Sequence, residues 1–272
     1  MRQQLRWMSM ALHPNAIRSY PPLIQDEAEE YFKTLPDGNY NILDVLSRLI
    51  ILTASRTLMG PEIRERLVDD VAKLYADLDA GITPLSIFFP YAPIPQHWTR
   101  DKAHRALVDL FSRVIRERRE RLAGVPADER PNDVLTKFMY SEYKDGSKST
   151  DAECAGLMIA LLFAGQHTSS ISSTWTTILA MHSSSGDVRD RVLEEVATVF
   201  GNAREAGEVD GDRVVLSADR VSQFTLLQSV MKEGIRLNPP LIYLMRKCRV
   251  PIQCGPYTVP KGDIIFASPA VS

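Results

Sequence analysis

A chain of 272 residues with 44% hydrophobic and 24% charged side chains has an ordinary globular composition and is long enough to bury roughly 70–75% of its unfolded surface. Its formal net charge of -2 gives no electrostatic reason to expect nucleic acid as a partner. Its three cysteines, Cys154, Cys248 and Cys254, form no C-x-x-C pair and stand near no histidine at zinc-ligand spacing, so they read as reduced thiols in a cytosol-facing protein.

The opening segment MRQQLRWMSMALHP alternates polar and apolar residues at helical spacing, with neither the apolar core of a signal peptide nor a membrane span, so no anchor is expected within this chain. HPNAIRSYPPLIQDEAEEYFKTL follows with proline-bounded helical periodicity. YNILDVLSRLIILTASRTLMG is a second amphipathic helix ending at Gly60, and PEIRERLVDDVAKLYADLDAG a third, with proline in its first turn and Gly81 as its stop. ITPLSIFFPYAPIPQHW is apolar but carries four prolines, which predicts an irregular loop. A fourth helix is expected over residues 100–122, its tail RVIRERRERL read as a solvated face, and a short one over 133–140.

From Thr150 the chain runs TDAECAGLMIALLFAGQHTSSISSTWTTILAMH, with a capping box of Thr150 and Glu153 and no proline, which predicts a central helix over about 150–182. Its apolar run over 155–165 is too short to cross a bilayer and suits the middle of a soluble core. Gly165 weakens the backbone there, and the Thr168 hydroxyl can bond back to the Ala164 carbonyl, which favours a local bend or widening with polar groups facing inward. The alternative is plain packing, with Gly165 permitting close approach and His167 a satisfied core histidine. Two more amphipathic helices, DVRDRVLEEVATVFG and FTLLQSVMKEGIRLNPP, precede short β-type runs in YLMRKCRVPI, PYTVP and DIIFAS, so a small sheet closes the chain. Glu233 and Arg236 lie three apart at the end of the second of these helices, at the spacing of a local ion pair.

AGQHT in the long helix and KEGIR near the sheet stand in an order and spacing similar to the haem-thiolate monooxygenases of the cytochrome P-450 superfamily. AGQHTSS resembles the sterol 14α-demethylases in particular, in which histidine takes the place that most relatives give to an acid. LIILTASRTLMGPEIR, LYADLDAGITPLSIFFP and RLNPPLIYLMRKCRVPIQCGPYTVPKGDIIFASPAVS extend the resemblance over nearly the whole chain.

The resemblance implies a mainly α, partial cytochrome P-450 fold with a long central helix and a small C-terminal β-sheet. Residues 1–272 are then expected to be an internal fragment, without the N-terminal anchor and first helices, and without the C-terminal meander and the F-x-x-G-x-x-x-C-x-G loop whose cysteine ligates the haem iron. None of the three cysteines has that loop's flanking pattern, so no metal ligand is assigned. By the same resemblance the parent removes the 14α-methyl group of a sterol oxidatively, with haem b as cofactor, dioxygen, and electrons from an NADPH-dependent reductase. Its expected location is the cytosolic face of the endoplasmic reticulum membrane. The catalytic group so implied is Thr168, His167, Gly165 and Ala164: a hydroxyl for the proton relay, a histidine as proton donor or substrate contact, and room for dioxygen. Ile82, Ile87, Phe163, Leu241, Tyr243 and Met245 are the implied sterol-pocket residues, Arg246 the partner of a haem propionate, and Glu233 and Arg236 structural holders of the meander. A truncated, non-catalytic fragment or a lipid-binding remnant stays open beside the enzyme. A serine nucleophile elbow, a P-loop, G-x-G-x-x-G and H-E-x-x-H are all absent from the sequence, which argues against other enzyme classes.

Overall fold

The computed structural model describes residues 2–268 apart from 67, 84–85, 87–88, 90 and 183–186. The described chain is mainly helical: α1 (Arg2–Ala11), α2 (Pro14–Ile17), α3 (Tyr20–Lys33), α4 (Ile42–Ala54) running on into a π-helical turn at Ser55–Met59, α5 (Pro61–Arg66), α6 (Val68–Ala80), α7 (Pro95–Arg121), α8 (Val134–Met139), α9 (Asp151–Met181), α10 (Asp187–Glu205), α11 (Ala218–Val221) and α12 (Thr225–Leu237). Strands β1 (Val209–Asp210) and β2 (Arg213–Val214) form a small hairpin, and β3 (Leu244–Lys247), β4 (Ile252–Cys254), β5 (Tyr257–Val259) and β6 (Ile264–Ala267) follow the last helix.

Local chemistry explains most of the boundaries. The Asn41 side chain accepts from the Leu43 N–H at the start of α4, and Asp133 accepts from the Thr136 N–H at 2.7 Å at the start of α8. Gly60, at φ 89°, ends the π-helical turn in a conformation that a side chain would strain. The capping box of α9 is complete: the Thr150 hydroxyl accepts from the Glu153 N–H at 3.2 Å while the Glu153 carboxylate accepts from the Thr150 N–H at 2.9 Å. The Tyr143 hydroxyl also donates to Glu153, and with the Thr150 N–H it holds this carboxyl below the usual carboxylate range.

The sheet region differs from the single small sheet expected. β3 pairs antiparallel with β6, Leu244 opposite Ala267, and β4 pairs antiparallel with β5 in a separate hairpin whose two-residue turn uses Gly255 at φ 57°. The β1–β2 hairpin was not expected, since strands of two residues are too short to show a period. α7 begins at Pro95, inside the segment read as loop, because proline at a first helical position forfeits no hydrogen bond.

α9 is the axis of the fold and packs against α4, α7, α8, α10 and α12. By length and hydropathy it could cross a membrane, yet Cys154, Ala155 and Met158 are fully buried inside the helical body, the mark of a core helix. The main core joins these residues to Met59, Ile63, Tyr75, Leu107, Phe111, Ile115 and Phe138.

The charged tail of α7 is not wholly a solvated face. Leu107, Phe111, Ile115 and Leu122 mark one buried stripe at helical spacing, and Arg118 falls on it with 2% exposure. Its guanidinium donates to Asp133 Oδ2 at 2.6 Å, to Thr136 Oγ1 at 3.2 Å and to the Met59 carbonyl at 2.7 Å. Removing one partner of such a pair leaves a buried charge uncompensated, so Asp133→Ala is expected to cost about 3–5 kcal/mol in urea unfolding. Arg18→Ala, which breaks an exposed pair with Asp219, is expected to cost less than about 1 kcal/mol in the same measurement. Equal losses would remove Arg118 from its organising role.

Candidate functional site: one face of the central helix

α9 passes through residues 163–170 as α-helix without the expected widening; the π-helical turn lies instead at Ser55–Met59, across from it. The back-bond is present: Thr168 Oγ1 donates to the Ala164 carbonyl at 2.7 Å, with the Gly165 carbonyl at 3.4 Å. That bond fixes the hydroxyl rotor and leaves the oxygen's lone pairs free to accept. Ala164 is exposed beside it. Gly165, three residues before Thr168 and so about 60° from it around the helix, borders the space between α9, α4 and α6. A Cβ built on Gly165 would meet nothing within 4 Å.

His167 is not a core histidine. Its Nε2 lies 3.0 Å from Asp79 Oδ1 at the end of α6, both side chains are 43% exposed, and Phe163 meets the imidazole edge-on with centroids 5.9 Å apart. Asp79 was missed in the sequence, where LYADLDAG read only as the end of an amphipathic helix. The only signal was an acid near the end of an amphipathic helix, which by itself points nowhere.

The remaining expected residues are spread more widely. Phe163 is half-buried on α9, and Ile82, just beyond α6, is exposed; Ile87 lies outside the described residues. Leu241, Tyr243 and Met245 are exposed at and before β3, where Tyr243 packs edge-on against Phe266. Arg246, the residue after Met245 and in register opposite Ile265, is exposed and donates to the Met245 carbonyl at 2.9 Å. Glu233 and Arg236 form an exposed two-bond pair at 2.7 and 2.8 Å, and the Arg236 guanidinium holds the Glu233 carboxyl below the usual range. Between them Gly234 packs against Thr176, where a Cβ would come within 3.2 Å of the threonine hydroxyl. α12 thus seats directly on α9.

The small residue at Ala164 with the Thr168 hydroxyl beside it leaves one exposed strip of α9 open to a planar ring, while Arg246 stands on the separate β3–β6 ladder. The cysteines do not complete such a site. Cys154 is buried near the start of α9 with its thiol on Ser149, and ten residues at about 1.5 Å each separate it from Ala164. Cys248 is buried beyond β3, and Cys254 is exposed in β4.

A sequence model of the Cytochrome P-450 family matches residues 1–271. The chain belongs to the cytochrome P-450 family. The fold agrees: a retinoic acid-bound cyanobacterial CYP120A1 superposes with a TM-score of 0.79 at 20% identity, covering 99% of this chain and 57% of that one. Within the cytochromes P-450, the chain is 40% identical over 275 residues to a sterol 14-demethylase of Arabidopsis thaliana, covering 99% of this chain and 53% of the relative. It is 41% identical to an obtusifoliol 14-alpha demethylase of Sorghum bicolor, covering 52% of it, and 36% identical to a lanosterol 14-alpha demethylase of Homo sapiens, covering 50% of it. The chain therefore spans about half the length of the curated relatives it matches. The cytochrome P-450 family implies haem as cofactor.

The His167–Asp79 contact ties α6 to that face, and its partial exposure limits its strength. A double-mutant cycle of His167→Ala and Asp79→Ala is expected to return a coupling of about 0.2–1 kcal/mol in urea unfolding at low salt, shrinking at high salt. A coupling indistinguishable from zero at low salt would show that the two side chains do not interact in solution.

Proposed function

We propose that this chain is the oxygen-facing half of a sterol 14α-demethylase, a haem-thiolate monooxygenase that removes the 14α-methyl group of a sterol precursor with dioxygen and electrons from an NADPH-dependent reductase. The observation that carries the reading is the single face of α9 on which exposed Ala164 and the fixed Thr168 hydroxyl stand next to the His167–Asp79 pair. The similarity to proteins named as sterol, obtusifoliol and lanosterol 14-demethylases supports the choice of substrate class.

Bound haem b would supply the iron at which dioxygen is activated. This chain's residues supply the surroundings. Ala164 leaves the space beside the ring open, and the Thr168 hydroxyl relays a proton by turning its own hydrogen from the Ala164 carbonyl toward the acceptor as its oxygen takes up another. His167, reaching both Asp79 and solvent, connects that hydroxyl to the bulk proton supply. Phe163, Ile82 and Ile87 on the central-helix side, with Leu241, Tyr243 and Met245 on the sheet side, form an apolar lining suited to a rigid hydrocarbon skeleton. Arg246 receives a haem propionate.

In this proposal the thiolate loop, the meander and the membrane-anchoring segment belong to polypeptide outside residues 1–272, and the parent sits on the cytosolic face of the endoplasmic reticulum membrane. The exposed apolar side chains Leu241, Ile242, Met245 and Phe266 beside the exposed Glu233–Arg236 pair support further chain packing there. The placement of the cysteines supports a second, narrower reading, in which the 272-residue polypeptide alone is a non-catalytic fragment.

A parent protein carrying this chain and both flanks is expected to change its haem spectrum on addition of a 14α-methyl sterol and to release the demethylated product. Thr168→Ala in that parent is expected to lower product formed per dioxygen consumed by at least roughly tenfold, at the low end of what a positioned proton-transfer group contributes. Unchanged coupling would take Thr168 out of the proton path, and a spectrum that responds to small aromatics but to no 14α-methyl sterol would refute the substrate class. The 272-residue chain alone, mixed with haem, reduced and exposed to carbon monoxide, is expected to give no absorption band of a thiolate-bound carbonyl complex. Such a band, lost on Cys248→Ser or Cys254→Ser, would show that a cysteine near the sheet serves as the ligand.

A further inference from the structure

A cavity of about 250 Å³ lies along α9, bounded by α4, the π-helical turn and α6. Its walls are mostly apolar, with Ile51, Val71 and Leu162 buried there and Leu161 beside them. Exposed Ile24 and Ser169 border it, so it can be reached from solvent. Leu161 and Gly165 line the cavity, and Thr168 follows them at the i, i+4, i+7 spacing of a single helix stripe. Gly165 is therefore the corner between the cavity and the Thr168 hydroxyl. A Cβ built on it would meet nothing within 4 Å, so the missing side chain leaves open space at that corner.

The hydroxyls of the wall are not offered to an occupant. Thr53 donates to the Ile50 carbonyl at 3.1 Å, Thr57 to the Thr53 carbonyl at 2.7 Å and Tyr75 to the Ile159 carbonyl at 3.1 Å. Ser55 Oγ is wholly buried and presents no surface to the cavity. A bound water wants about two to four polar partners, which such a wall supplies poorly, whereas an apolar guest needs none. Apolar cavities of about 150 Å³ take up benzene or xenon, so this one has room for a small apolar molecule.

Of the reactants in the reaction assigned above, dioxygen is the one that is both apolar and small; a four-ring sterol is too large for this space, and a proton needs the polar partners it lacks. We propose that this cavity is the entry and holding site from which dioxygen reaches the Ala164–Thr168 face, passing α9 at Gly165. The inference rests on the reading of that face as the oxygen side of a bound haem. It gives the two small residues consecutive tasks: Gly165 opens the way out of the cavity, and Ala164 leaves room where the gas arrives.

The test has two arms. In the first, xenon stands in for dioxygen and is dissolved under pressure with the 272-residue chain without haem, while methyl resonances are followed by NMR. Saturable shifts confined to the methyl groups of Ile51, Val71, Leu161 and Leu162 are expected, and their loss in Ala54→Phe, whose ring is placed to fill the cavity from α4. In the second, carbon monoxide is flashed off the reduced, haem-loaded parent and its rebinding from solution is timed. Rebinding is expected to be at least about threefold slower in Ala54→Phe and in Ser169→Phe, because entry then waits on motion of the helices. Ser169 is exposed at the mouth, so this second variant blocks the way in without repacking the core. A spectral response to sterol that is unchanged in both variants is expected and keeps misfolding apart from blocked entry. A parent that responds to no 14α-methyl sterol would refute the substrate class alone, since neither xenon binding nor rebinding depends on it. No saturable xenon shifts in the wild-type chain, or rebinding at the wild-type rate in both variants, would overturn the site.

Discussion

The buried guanidinium of Arg118 is the contact on which the arrangement of the other helices depends. It belongs to α7, takes the Asp133 carboxylate that also caps α8, and reaches the Met59 carbonyl at the end of the π-helical turn. Three separate elements are thereby tied together, and two of them, α7 and α8, pack on α9. A cation with 2% exposure is tolerated only when its donors are met in good geometry, so the elements cannot slide past one another without a large loss. Hydrophobic contact alone, being non-directional, would allow such sliding.

A second charged centre restrains the same turn from the other side. Glu27, fully buried on α3, meets Arg56 in the π-helical turn at 3.2 Å and is bonded as well by Arg64 of α5. The turn is therefore held at Arg56 by a carboxylate and at Met59 by a guanidinium. A π-helical turn has poorer local hydrogen bonding than α-helix and persists where surrounding contacts fix it. Held in this way, the turn forms one wall of the cavity beside Gly165, which is how the packing of three peripheral helices comes to shape the interior behind the central one.

The two sides of α9 at residues 164–168 thus have different characters. One is open, with Ala164 exposed, the Thr168 hydroxyl turned onto its own backbone and His167 shared with α6. The other borders a partly open cavity lined mainly by apolar side chains of α4 and α6. A small residue serves each side for its own reason: alanine keeps the outer surface low, and glycine leaves the inner wall bare. Conversion of either to a bulky residue would act on a different compartment, although the two are adjacent in sequence.

What the sequence determined by itself is what lies within about four residues. The capping box at Thr150, the back-bond from Thr168 to Ala164 and the Glu233–Arg236 pair were all legible, because each is closed by neighbours along the chain. The family was legible from motif order over the whole length. Tertiary structure decided the rest. Arg118 read as part of a solvated run until the packing of α7 turned its stripe inward, and the helical period of Leu107, Phe111 and Ile115 would have placed it there had charge not been given priority. The pairing of His167 with Asp79, the division of the last strands into two ladders and the bulging of the chain at Ser55 rather than at Gly165 depend on which helices and strands come to lie side by side. Those choices are made by the fit of whole surfaces, to which a single residue's neighbours in sequence contribute little.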